Sequence, residues 1–131
     1  MTEKIRIETD AAPPATGTYS QAIRHGNLVF VTGQTGRNPK TSKLEDGLEA
    51  QTRRVLSNIG AVLSAAGCSQ EDILKATLIL ADMKDFKEVD SLYRAWLPED
   101  GKVCNPARTV LQAPLPHGAL VMLEVIAATR A

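Results

Sequence analysis

The chain has no surplus of charge. Fifteen Lys and Arg residues cancel fifteen Asp and Glu residues over 131 positions. Nucleic acid and anionic membranes normally call for a basic surface, so neither is expected as a partner. No run of eighteen apolar residues occurs, so no membrane-spanning helix is expected. The start, Met1-Thr-Glu-Lys-Ile-Arg, lacks the apolar segment of a secretory signal. His25 and His117 lie far apart and do not make a metal site. Cys68 and Cys104 are not spaced as a metal pair and read as reduced thiols. These absences together predict a cytoplasmic protein with no metal site. No internal repeat or low-complexity segment divides the chain, and residues 1–131 read as one domain.

What is present is pattern. Apolar residues make up 44% of the chain, enough for a real core. Residues 4–9 alternate and read as a short strand. A Pro/Ala-rich loop follows, with Pro13, Pro14 and Gly17. Residues 18–23 and 28–32 read as strands joined by a tight turn at Gly26-Asn27, the second stopped by Gly33. Leu48, Thr52, Val55, Leu56, Ile59, Val62, Leu63 and Ala66 fall at helical spacing, with Asp46 as N-cap and Gly67 just past the end. Residues 73–81 form an apolar strand with Leu74, Ala76, Leu78 and Leu80 on one face. Asp82 caps a second helix whose buried stripe is Met83, Phe86, Val89, Tyr93, Trp96 and Leu97, ended by Pro98. A loop over 99–106 leads to two extended runs, 107–113 and 119–128, flanking a Pro/Gly-rich connection. The order β-ββ-α-β-α-ββ predicts an α+β sheet with both helices on one face. The last run is apolar on both faces, so the second face needs another subunit.

Each C-terminal run carries one charge. Arg108 stands in the first and Glu124 in the second. A hairpin symmetric about Pro116 would set them opposite each other. A buried charge without partners is very unfavourable. Arg108 therefore either forms a structural ion pair or meets an anionic ligand. His117 in its turn reads as solvated.

Gly17-Thr-Tyr-Ser-Gln-Ala22, Val31-Thr-Gly-Gln34, Glu49-Ala-Gln-Thr52, Pro106-Ala-Arg-Thr109 and Leu115-Pro116 followed by Glu124-Val-Ile-Ala127 resemble the Rid/YjgF reactive intermediate deaminases. The resemblance runs over nearly the whole chain. It implies a chorismate-mutase-like α+β fold, a homotrimer with ligand clefts between subunits, and no cofactor or metal. It also implies hydrolysis of small enamine and imine carboxylates, 2-aminoacrylate (2-iminopropanoate) and 2-iminobutanoate, to 2-keto acids and ammonia. By resemblance Arg108 is the carboxylate-binding arginine, and a planar guanidinium suits two parallel hydrogen bonds to a carboxylate. Tyr19 lines the cleft from the neighbouring subunit. Thr32 and Gly33 bring main chain to the substrate, and Asp90 stands where many members have an asparagine.

Some positions depart from the family pattern. The family has two glutamates in its last strand, separated by one apolar residue, and the first positions the attacking water. Here that place is Met122, and Glu124 is the second. Val110 replaces a frequent cysteine, and Thr18 replaces a frequent proline. Glu124, or Asp90, is then left to steer the water. Three other functions are weighed. One is a trimeric sensor that binds a 2-keto acid without turnover. Another is a deaminase of a specialised substrate such as an aminomuconate. Endoribonuclease activity is least favoured, since zero net charge leaves no electrostatic footprint for RNA. Cys104, four residues before Arg108, lies near the expected cleft.

Overall fold

The computed structural model describes residues 3–99 and 102–130. Asp100 and Gly101 of the expected 99–106 loop lie outside the described residues. The elements come in the expected order. They are β1 (Lys4–Ile7), β2 (Ala22–His25), β3 (Leu28–Thr35), α1 (Leu48–Ala65), β4 (Ile73–Leu80), α2 (Phe86–Trp96), β5 (Ala107–Gln112) and β6 (Val121–Ala128). The six strands make one mixed sheet in the order β1-β2-β3-β6-β4-β5. Both helices cover one face. There Val29 and Val31 of β3, Ala76, Leu78 and Leu80 of β4, and Val121, Leu123, Val125 and Ala127 of β6 are buried. At roughly 25 cal/mol per Å² of apolar area, this layer dominates the stability of the domain. Among the described residues no helix is long and apolar enough to cross a membrane.

The C-terminal runs do not pair with each other, which corrects the expected hairpin. Strand β4 lies between them, parallel to β5 on one edge and antiparallel to β6 on the other. The Pro/Gly-rich connection steps over the end of β4. The N–H of Ala113 donates to the Leu80 carbonyl at 3.0 Å, and that of Ala81 to the Leu120 carbonyl at 3.0 Å. Placing β4 centrally satisfies both of its hydrogen-bonding edges, and its apolar face earns a covered position.

Helix α1 buries the predicted stripe from Thr52 to Leu63, Ala66 just past its end is buried too, and Leu48 is half-buried. Its N-cap is Gly47 rather than Asp46. Gly47 has φ 91°, a left-handed conformation that an aspartate adopts only with strain. At the other end Gly67, φ 80°, closes a Schellman motif. The Cys68 N–H donates to the Leu63 carbonyl at 2.8 Å, and the Gly67 N–H to the Ser64 carbonyl at 3.0 Å. Gly67→Ala is expected to lower stability by about 1 kcal/mol in a urea titration, because alanine resists that φ.

Three other expectations shift. Residues 18–21 are loop, and β2 starts at Ala22. Leu74 is 51% exposed, because an irregularity between Ile73 and Lys75 gives β4 one extra residue and puts Ile73 on the core face. Met83 is 40% exposed, because a 3-10 turn, Met83–Asp85, precedes α2 and takes it out of the helical phase. Asp82 caps that turn, accepting from the Lys84 N–H at 3.0 Å.

The sheet face away from the helices carries Leu28 and Phe30 of β3, Leu111 of β5, and Met122 and Ile126 of β6. Leu28, Phe30 and Leu111 are 36–42% exposed, so an apolar surface is open on this chain.

Candidate functional site

Strand parity decides where the charged pair goes. Ala76 of β4 pairs with Arg108, and the next residue, Thr77, pairs with Glu124. Consecutive residues of a strand point to opposite faces. Arg108 therefore lies on the helix side and Glu124 on the open side. They are not cross-strand neighbours, and within one chain they do not form an ion pair. The inserted β4 is the reason.

On the helix side, α2 builds the surroundings of Arg108. Phe86, Asp90 and Tyr93 recur at helical spacing and face β5. Nη1 of Arg108 donates to Oδ1 of Asp90 at 2.6 Å. The guanidinium carbon stands 5.4 Å from the Phe86 ring centre and 5.3 Å from that of Tyr93, both within cation–π range. The other oxygen of Asp90 meets Nη2 of Arg94 at 3.3 Å. Burial pushes the Tyr93 phenol up. The Arg108 charge pulls it down and Asp90 raises it further. Asp90, Tyr93, Arg94, Pro106 and Arg108 line one cleft. Phe86 and Tyr93 read as core from spacing alone. Their second role, flanking a cation, has no periodic signal.

On the open side, a bulge in β3 builds a second cleft. Val31 pairs with Val125 and Gln34 with Leu123, so Thr32 and Gly33 together oppose the single residue Glu124. A side chain at Gly33 would have to displace the flexible Met122 side chain. A Cβ on Gly33 would stand 2.7 Å from the Met122 sulfur. Strand β3 runs through this bulge to Thr35, past the stop expected at Gly33. Tyr19, Thr32, Gly33, His117, Met122 and Glu124 line a cleft of about 480 Å³. Tyr19 is 51% exposed, so its ring forms a wall rather than core. His117 is exposed, as expected of a solvated turn residue, yet it borders this cleft. Its φ of 57° fixes it in the 3-10 turn Pro116–Gly118.

Three buried amides hold this cleft in place, and hydrophobic patterning did not find them. Gln21 accepts from the Thr9 N–H at 2.7 Å and donates to the Pro13 carbonyl at 2.7 Å, tying down the Pro13-Pro14 wall. Asn58 donates to the carbonyls of Thr35 at 3.2 Å and Arg37 at 2.9 Å. Gln51 accepts from the Leu120 N–H at 3.0 Å, fixing the entry to β6. For Gln51 and Asn58, polar residues on the buried face of α1 were the available signal.

The expected site residues thus fall into two groups. Arg108 and Asp90 stand together on one face. Tyr19, Thr32, Gly33 and Glu124, with Met122, stand together on the other. Asp90 is bound to Arg108 and is not near Glu124's cleft. Cys104 is exposed, while burial raises the Cys68 thiol.

A family model described as Endoribonuclease L-PSP matches residues 9–129. Reactive Intermediate Deaminase A, chloroplastic, of Arabidopsis thaliana is 42% identical over 123 residues, which cover 92% of this chain and 64% of that protein. The chain thus spans less than two thirds of that relative's length. The 2-iminobutanoate/2-iminopropanoate deaminase of Mus musculus is 38% identical over 123 residues, covering 92% of this chain and 88% of its own. The crystal structure of RidA from the Antarctic bacterium Psychrobacter sp. PAMC 21119 superposes with a TM-score of 0.89 at 41% identity, covering 95% of this chain and 98% of that one. Match length, identity and fold agree, and the chain belongs to the Rid/YjgF family.

Proposed function

We propose that this chain hydrolyses small enamine and imine carboxylates to 2-keto acids and ammonia, in clefts assembled between copies of itself. The observation that carries the reading is the sorting of the site residues. An anion anchor, Arg108, and a cleft with a carboxylate, Glu124, lie on opposite faces of one sheet. Each is half of a site. In this reading a second copy covers the open apolar face and presents its Arg108 to the Glu124 cleft of the first, and a closed ring of three copies would complete every such cleft. The relatives named as deaminases support the same chemistry.

In this reading the substrate carboxylate takes two hydrogen bonds from Arg108. The main chain at Thr32 and Gly33, unable to pair regularly at the bulge, orients the imine nitrogen. Glu124 orients a water and accepts its proton as the oxygen adds to the imine carbon. That proton passes to nitrogen to give the carbinolamine. Its hydroxyl then loses its proton, relayed by Glu124 to the same nitrogen. The C–N bond breaks, ammonia leaves, and the carbonyl of the keto acid forms. An imine is intrinsically hydrolysable, so positioning and charge placement are sufficient. The test is turnover of freshly generated 2-aminoacrylate and 2-iminobutanoate, followed by keto acid or ammonia release.

A second reading, a 2-keto acid sensor without turnover, is favoured by one observation. A thioether, Met122, shares the cleft with Glu124 and cannot activate water. The two readings diverge for Met122→Glu. If the chain is a deaminase, a second carboxylate beside Glu124 is expected to raise kcat by about tenfold, less than a full general-base effect because Glu124 already supplies one carboxylate. If wild type and variant both bind pyruvate without turning over an imine, the sensor reading replaces the first.

A further inference from the structure

We propose that Asp90 is a positioning residue that sets how tightly Arg108 takes a carboxylate. The inference rests on the reading of Arg108 as the anion anchor and concerns what holds that anchor.

The guanidinium is fixed on three sides by one helix. Asp90 takes Nη1 at 2.6 Å, and the Phe86 and Tyr93 rings stand beside the guanidinium carbon at 5.4 and 5.3 Å. The Asp90 and Arg108 side chains are 18% and 26% exposed, so solvent screens this contact only in part. A guanidinium has five N–H donors. Among the described residues only Nη1 is engaged by a side chain, and the remaining donors are left for a ligand. Arg108 is therefore pre-aimed, which removes the entropy that a free arginine loses on binding.

The same contact weakens the ligand's hold. An incoming carboxylate enters a field that already contains the negative charge of Asp90. Arg94, bound to the other Asp90 oxygen at 3.3 Å, offsets little of this, since its side chain is 82% exposed. Asp90 thus fixes the geometry of the anchor and loosens its grip on both substrate and keto acid product. A neutral side chain of the same shape separates the two effects, because it can keep the hydrogen bond to Arg108 without the charge.

The experiment titrates pyruvate into wild type, Asp90→Asn, Asp90→Ala and Arg108→Ala by calorimetry, with steady-state kinetics on 2-iminobutanoate alongside. Asp90→Asn is expected to bind pyruvate about threefold to tenfold more tightly, with KM lowered in parallel and kcat within twofold of wild type. Asp90→Ala is expected to lose that gain and to drop kcat about tenfold, because Arg108 is no longer aimed. Unchanged pyruvate affinity in Asp90→Asn overturns the proposal, as does Asp90→Asn behaving like Asp90→Ala. The Arg108→Ala arm reads the anchor separately. If that variant binds pyruvate as wild type does, the anchor assignment falls and the proposal falls with it. If wild type binds pyruvate through Arg108 but turns over no imine, the Asp90 arms still decide the proposal by affinity alone.

Discussion

Arg108→Ala is expected to lower kcat/KM for 2-iminobutanoate by about 10²–10⁴-fold while the fold is retained. A hydrogen bond to a charged group is worth about 1.5–3 kcal/mol, and a bidentate carboxylate loses two of them. Each 1.4 kcal/mol is about tenfold in rate. The fold should survive because Arg108 stands on β5, which pairs only with β4 at the edge of the sheet. Truncation leaves Asp90 with Arg94 still bound to its other oxygen, so no carboxylate is left buried and alone. Circular dichroism and a urea titration check the second half of the prediction. Activity within threefold of wild type would remove Arg108 from the site.

The largest effect on stability is expected from Gly36→Ala. Gly36 follows β3 where the chain passes directly under α1. A Cβ there would stand 2.6 Å from Cα of Gln51 and 2.7 Å from its carbonyl oxygen. Those are backbone atoms of the helix and cannot rotate away, so α1 has to lift off the sheet. Overpacking of this kind costs about 3 kcal/mol at the upper end of its usual range. That corresponds to a Tm loss on the order of 10 °C for a domain of this size. Gln51 also holds the Leu120 N–H at the entry to β6, so turnover should fall as well. A midpoint in urea equal to that of wild type would show that the helix tolerates the added carbon.

The Gly36 contact was not legible in the sequence, whereas much of α1 was. A helix announces its buried face through local spacing, and the stripe from Thr52 to Ala66 needed nothing beyond the period of 3.6 residues. The element order was legible for the same reason. Strand adjacency is a long-range choice, and two extended runs around a Pro/Gly connection do not say whether a third strand enters between them. That one fact separates the symmetric hairpin, with Arg108 facing Glu124, from the observed sheet, with the two on opposite faces. The family resemblance named the candidate residues. The structure divided them between two clefts, and bulges and buried amides, which leave no periodic trace, shape the cleft around Gly33.

The central claim is that each working cleft draws Arg108 from one copy and Glu124 from another. The direct test co-expresses Arg108→Ala chains with Glu124→Gln chains and purifies the mixed oligomers, each variant alone having been shown inactive. In a ring of randomly mixed copies, about a quarter of the clefts combine an intact Arg108 with an intact Glu124. The account predicts that activity returns towards that fraction of wild type. Mixed oligomers as inactive as either parent would contradict it, because a site completed within one chain cannot be repaired by its neighbour.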